Sequence, residues 1–334
     1  METSQEAKTD ALMIRYRFTL LAMLLVALTA PASGRAQGQG QDQADDQTPI
    51  GTLEVFLPVM VLDKKGQFVP GLTRNNFHVF EDGKEQAIRS FDAPTQLPLD
   101  VAIMMDTSGS VKRKLKFEQE AAASFVLAII ERSKDRALFA TFDSVVTLHI
   151  DFSRDSGDLT RAIDGVKANG NTRLYDAIYR VCEEKMALLP PGSRPVMVVI
   201  TDGADTASDR SLAEAIAIAQ KTNVTIFGIS TRDYEDINAK TVRGAVDKDL
   251  EKLCESTGGR TYLPYERIEL ERAFAGIRTL LRNQYVIYYE PKNQDRDGKF
   301  REIKVKVDGV EDKPDIRAKA GYYALQPSAD QVPR

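Results

Sequence analysis

The chain reads as an α/β protein. A doubly wound, mostly parallel sheet is expected, inserted in a small all-β, sandwich-like module formed by N- and C-terminal strands. Three observations predict this. Between residues 96 and 283, short apolar runs alternate with amphipathic stretches of helical spacing. The runs at 99–105 and 196–200 are apolar almost throughout, the mark of strands buried on both faces of a parallel sheet. The flanks at 50–95 and 284–325 instead alternate apolar with polar residues and carry Asp-Gly turn signals.

Ahead of these, Arg15 and Arg17 precede an apolar run at 18–30, with small residues at Ala30, Ala32, Gly34 and Ala36. That is the layout of a secretory signal peptide over 1–36, with Met13 as an alternative start; its apolar run is too short to span a bilayer comfortably. Residues 37–49, mostly Gln, Gly and Asp, read as a flexible linker. The expectation is an exported chain, periplasmic or secreted, with no stable membrane span once the signal is removed. Lys and Arg number 45 against 49 Asp and Glu, for a net charge of −4, so there is no basic footprint for nucleic acid. The two cysteines, Cys182 and Cys254, fall on separate expected helices. Export permits a disulfide, but such thiols more often serve as small buried hydrophobes.

In the first β segment, Leu53, Val55, Leu57, Val59 and Val61 share one face of a strand. A turn follows at 63–66, then a strand at 77–80, a turn at Glu81-Asp82-Gly83 and a strand at 86–91. The α/β region opens with the strand that ends in Asp106. Phe117, Ala121, Phe125 and Ala128 then mark a helix, 136–142 a strand and 145–150 its hairpin partner at a sheet edge. Helices carrying Leu159, Ile163 and Val166, and Leu174, Ile178 and Val181, lead to the central strand at 196–200. A helix through Leu212 and Ala219, a strand at 224–229, a polar loop from Ser230 to Asn238, a helix ending near Gly258-Gly259, a short strand at 261–263 and a last helix at 266–283 complete the region. Three strands are expected at 284–289, 301–307 and 315–323, followed by a tail at 326–334.

The chemistry lies in three loops that this topology sends to the carboxyl edge of the sheet, where open α/β sheets bind ligands. They are Asp106-Thr107-Ser108-Gly109-Ser110, Gly170-Asn171-Thr172 and Thr201-Asp202-Gly203-Ala204-Asp205. They bring hydroxyls and carboxylates without sulfur or imidazole, a donor set for a hard divalent cation and not for zinc. The first loop alone also fits a helix-capping turn, and Thr201-Asp202-Gly203 alone an ordinary turn; their joint occurrence at successive strand ends fits neither.

The combination resembles the von Willebrand factor type A domain and its metal-ion-dependent adhesion site, over about residues 97–283. The resemblance implies that Ser108, Ser110 and Thr172 contact the ion directly. Asp106 and Asp202 would hold it directly or through water, and Asp205 would lie behind the ligands. The whole chain is also similar to the VWFA-related family of exported Acidobacteria proteins, through Val69-Pro70-Gly71-Leu72, the segment 77–83 and the terminal stretch 317–322; that likeness implies an architecture and no defined activity.

The expected function is that of a non-enzymatic binding protein. Its divalent cation, Mg²⁺ with Ca²⁺ or Mn²⁺ as alternatives, captures an Asp or Glu side chain of a protein partner. Enzyme patterns are missing: both histidines, His78 and His149, fall in strand-like contexts, no Asp-Thr-Gly occurs, and neither a P-loop nor Gly-x-Gly-x-x-Gly is present. The alternatives are a metal-dependent hydrolase or phosphatase, and a structural assembly component with a stabilising ion.

Overall fold

The computed structural model describes residues 53–93, 98–131, 133–190, 193–202, 205–231, 243–264, 266–310 and 313–324. The expected signal peptide, linker and tail lie outside these, as do Gly203, Ala204 and most of the polar loop after Ser230.

The strands before the α/β region are β1 (Val55–Leu62), β2 (Phe77–Glu81), β3 (Lys84–Gln86) and β4 (Ile88–Asp92). Then follow β5 (Leu99–Asp106), α1 (Leu115–Ile129), β6 (Arg136–Phe142), β7 (Val146–Ser153), α2 (Ser156–Gly165), α3 (Leu174–Glu184), β8 (Arg194–Thr201), α4 (Leu212–Lys221) and β9 (Thr225–Ser230). The region closes with α5 (Arg243–Ser256), β10 (Thr261–Tyr262) and α6 (Arg267–Arg282). Four strands end the described chain: β11 (Tyr285–Tyr289), β12 (Phe300–Val307), β13 (Asp315–Arg317) and β14 (Gly321–Tyr323).

The central sheet has the order β10-β9-β8-β5-β6-β7 and is parallel except for β7, which pairs antiparallel to β6. Every residue of β5 is buried because both faces are covered. Val101, Ile103 and Met105 join Phe125 of α1, Leu159 of α2 and Phe274 of α6 on one face. Ala102 and Met104 join Ile178 of α3, Ala215 of α4 and Leu253 of α5 on the other. Cys182 and Cys254 are part of this second face as free, buried thiols. Gly259 passes so close to β9 that a Cβ there would lie 1.8 Å from the Ile226 carbonyl oxygen, so only glycine fits.

The flanking strands form two antiparallel sheets, β13-β1-β11-β4 and β14-β12-β2-β3, around a common apolar core. Each mixes N- and C-terminal strands: Val55 pairs with Tyr289, and Ile303 with Glu81. The β2–β3 hairpin turns at Asp82 and Gly83, both at positive φ (47° and 77°), as a tight Asp-Gly turn requires. Two strands expected to be continuous divide. The one expected from Gln86 ends as β3 at Gln86 and restarts as β4 at Ile88 in the other sheet; the one expected at 315–323 divides into β13 and β14 in the same manner. A sandwich corner is made where a strand changes sheet, and alternation of residue type does not record it.

The sheets are not a separate appendage. Leu57, Val59 and Val61 of β1 face the sandwich core, while Met60 and Leu62 pack into the α/β core beside Leu99 and Leu280. At the same junction Arg282 is bonded to the buried Asp135, whose Oδ1 also accepts the Leu99 amide (3.0 Å). A shared core predicts one folding unit. Leu62→Ala is expected to cost about 3 kcal/mol by leaving a cavity at the junction. Chemical denaturation followed by both far-UV circular dichroism and tyrosine fluorescence checks this, with a single coincident transition expected; two separated transitions would contradict it.

Candidate metal centre

Asp106 ends β5 at the point where the sheet's connections diverge, to β6 on one side and to β8 on the other. Divergence of this kind opens a crevice at the carboxyl ends of the strands. The Asp106 carboxylate is held there by two donors: the Ser108 amide to Oδ1 (2.8 Å) and the Thr201 hydroxyl to Oδ2 (2.7 Å). The Ser108 and Ser110 hydroxyls lie 2.9 Å apart, and Ser110 Oγ donates to Asp202 Oδ1 at 2.9 Å. Asp106, Ser108, Ser110 and Asp202 are thus linked across the two central strands. Ser110 is exposed, whereas Asp106 and Ser108 are buried.

The second loop is drawn in by main-chain bonds. The Asn169 amide donates to the Thr107 carbonyl (2.7 Å), and the Gly109 amide to the Gly170 carbonyl (3.0 Å). Gly170 has φ 84°, and a Cβ there would meet Ser144 Oγ at 2.6 Å, so this approach requires glycine. Thr172, two residues on, is buried. Its amide donates to Thr206 Oγ1 (3.0 Å), and its carbonyl accepts the amides of Thr206 (2.9 Å) and Ala207 (3.0 Å). Asp205 has a structural task. Its carboxylate accepts the Tyr175 and Ser208 amides (3.3 and 3.2 Å) and the Ser208 hydroxyl, which fastens the third loop to the start of α3.

Burial pushes the Asp106 carboxyl up to about 6, against the Ser108 amide and Thr201 hydroxyl, which favour the carboxylate; Asp202 nearby raises it further. A shift from 3.8 to about 6 corresponds to about 3 kcal/mol against ionisation, which a cation in the crevice would offset. Among the described residues no group of three or more His, Cys, Asp or Glu is arranged to hold an ion. The carboxylates of Asp106 and Asp202 and the hydroxyls of Ser108 and Ser110 are hard oxygen donors. This set fits Mg²⁺, Ca²⁺ or Mn²⁺, with water completing the shell.

Sequence reading missed Glu118. It lies on the α1 face that also carries Ala121, Ala122 and Phe125, and is fully buried. An acid on a core-facing helical stripe was the available signal. Its Oε1 accepts the Thr231 hydroxyl, while Oε2 has no partner among the described residues. The Thr231 amide in turn donates to the Thr201 carbonyl (2.9 Å), so Glu118 braces the end of β9 against the strand that carries Asp202. Thr201, Thr206 and Thr231 were likewise missed as supports.

Burial, with Asp106 and Asp202 adding to it, pushes the Glu118 carboxyl up to about 8. Unfolded, Glu118 ionises near 4.5; below that value it is neutral in both states, and as pH rises from 4.5 through about 8 only the unfolded state is ionised, so the folded state loses stability progressively until it too ionises. Glu118→Gln is expected to raise the melting temperature of the cation-free protein, with a gain that grows as pH rises from below 4.5 to above 8. Scanning calorimetry across that range checks it; a gain that does not vary with pH would contradict it.

The family model described as the von Willebrand factor type A domain matches residues 100–271, from the second residue of β5 into α6. No curated protein matches the chain. Solved structures do. An aerotolerance-related membrane protein from Bacteroides fragilis is 14% identical, with coverage of 55% of this chain and 98% of that one and a TM-score of 0.43. Proximal thread matrix protein 1 from the mussel byssus, in a form described as having a zinc-occupied MIDAS motif, is 14% identical, with coverage of 60% and 49% and a TM-score of 0.47. The PilB minor pilin from Streptococcus sanguinis is 14% identical, with coverage of 56% and 62% and a TM-score of 0.44. With the matched segment spanning all six strands of the central sheet but for Leu99 and taking up more than half of the sequence, the chain belongs to the von Willebrand factor type A domain family.

Proposed function

We propose that this protein is an exported, non-enzymatic binding protein that holds a divalent cation, Mg²⁺ in the first instance, and uses it to capture a carboxylate of a protein partner. The observation that carries the reading is the linked set Asp106, Ser108, Ser110 and Asp202 at the switch point, with Thr172 brought to the same edge. In this proposal Ser108, Ser110 and Thr172 contact the ion, and Asp106 and Asp202 hold it directly or through water. The bound cation supplies an electrophilic position that an incoming Asp or Glu can complete. Two carboxylates against a doubly charged ion leave no excess negative charge to repel that third one.

The chain's own residues prepare this. The Ser108 amide and Thr201 hydroxyl fix the Asp106 carboxylate, so it need not reorganise when the ion arrives. Ser110 and Asp202 stand less buried and face the approach. Binding is favoured over hydrolysis because both histidines sit on strands and are engaged there: His149 with Thr141 Oγ1 (2.8 Å), and His78 with Glu85 (2.8 Å). Export is proposed from the N-terminal sequence. No helix among the described residues is long and apolar enough to cross a membrane.

Isothermal titration of the full chain with Mg²⁺, Ca²⁺ and Mn²⁺ tests the cation half of the reading. One ion per chain is expected, lost in Asp106→Ala and weakened at least tenfold, about 1.4 kcal/mol, in the exposed-site variant Ser110→Ala. The partner half is tested by capture from an envelope fraction in Mg²⁺ followed by elution with EDTA. Capture that persists in EDTA and in Ser110→Ala would overturn the proposal, as would Asp106-dependent turnover of p-nitrophenyl phosphate.

A further inference from the structure

The two flanks of the candidate site differ in charge. On the α1 side, the turn after Ser110 reads Val111-Lys112-Arg113-Lys114-Leu115-Lys116. Val111 is buried and anchors the turn, and Lys114 folds inward to the Thr231 carbonyl. Lys112, Arg113 and Lys116 take exposed positions. Gln119, one helical turn further on, donates from Nε2 to the carbonyls of Ile163 (2.9 Å), Asp164 (3.1 Å) and Val166 (3.2 Å). Those bonds hold the end of α2 against α1, and so set the exposed Lys167, next after Val166, on the same flank.

Internal acids do little to neutralise Lys112, Lys116 and Lys167. Lys116 has Asp164 at 3.8 Å, with both side chains more than half exposed, a pairing that contributes little in water. Lys112 and Lys167 have no acidic partner among the described residues. The opposite flank carries acid: Arg173 is shared between Asp176 (2.8 Å) and Asp209 (2.9 Å), and the Asp209 side chain is 86% exposed. The basic flank belongs to a chain whose net charge is −4, so it is a local feature and not a reflection of bulk composition.

We infer that the flank formed by Lys112, Lys116 and Lys167 is a docking surface for an acidic segment of a protein partner. One carboxylate of that segment meets the cation site, and its neighbours lie over the basic side chains. The inference rests on the carboxylate-capture reading above and adds what surrounds the captured residue. An extended segment advances about 7 Å in two residues, the scale on which acids beside the captured carboxylate meet the turn that follows Ser110. The opposite flank gives the segment a direction, because reversal would place its acids over Asp209 and over cations already paired with Asp or Glu.

The test compares two synthetic peptides on the full chain in Mg²⁺ by fluorescence anisotropy. Each carries one central Asp, in one case followed by Glu residues and in the other by Gln residues. The Glu peptide is expected to bind about tenfold tighter at low salt. High salt, and Lys112→Gln/Lys167→Gln, should abolish that preference, with Mn²⁺ occupancy read by paramagnetic resonance as the control on the ion site. Equal binding of the two peptides, lost in EDTA, would overturn the basic flank and leave carboxylate capture standing. Preference for the Glu peptide undiminished by EDTA would remove the ion from the reading and keep the flank. Binding of neither peptide would overturn both. Lysine-dependent binding to phosphatidylserine vesicles instead of the Glu peptide would assign the flank to a lipid surface and overturn the proposal.

Discussion

The structure depends on a carboxylate placed where water cannot serve it. Asp106 is fully buried at the end of a strand covered on both faces, and its oxygens are held by an amide and a hydroxyl from two different loops. Neutral donors of this kind orient a carboxylate without compensating its charge, which is why burial still raises its pKa. The divalent ion we propose would resolve that imbalance. The hydroxyls of Ser108 and Ser110, linked through to Asp202, supply further oxygen donors without adding charge.

The rest of the fold keeps these loops in place. Burial on both faces fixes β5 and β8 in parallel register, Ile103 beside Val198 and Met105 beside Ile200, so the loops after Asp106 and Thr201 leave the sheet together. Main-chain bonds from Asn169 and Gly109 draw in the second loop, and Asp205 and Thr206 fasten the third loop behind it. Glu118 and Thr231 brace the next strand. Below the sheet, β1 serves two cores at once, with Met60 and Leu62 in the α/β core and Val59 and Val61 in the sandwich. The insertion is thereby made rigid, since neither module can move without exposing part of β1.

Much of this was legible in the sequence for definite reasons. A strand buried on both faces has to be apolar throughout, and 99–105 and 196–200 are; a helix with one covered face shows period 3.6, as at Leu174, Ile178 and Val181. The pairing of N- with C-terminal strands followed from neither flank being able to bury enough on its own. Sheet corners were not legible, because the stretch 318–320 continues the local alternation and no turn residue stands at Ala87, while the chain changes sheet at both places. Nor was the second role of β1, since burial of Met60 and Leu62 depends on residues distant in the sequence, Leu99 and Leu280 among them. Residue types and the family resemblance singled out Asp106, Ser108, Ser110, Thr172 and Asp202 as candidates, whereas the supporting threonines, alike in sequence to any surface threonine, became visible only through their partners.

The central claim, that a divalent cation sits among these oxygens, is tested most directly by anomalous diffraction from crystals grown in Mn²⁺. The account predicts one strong peak in the crevice bounded by Asp106, Ser108, Ser110, Thr172 and Asp202, lost in crystals of Asp106→Ala. Ordered crystals in Mn²⁺ with no peak there, or with a peak that survives that substitution, would contradict it.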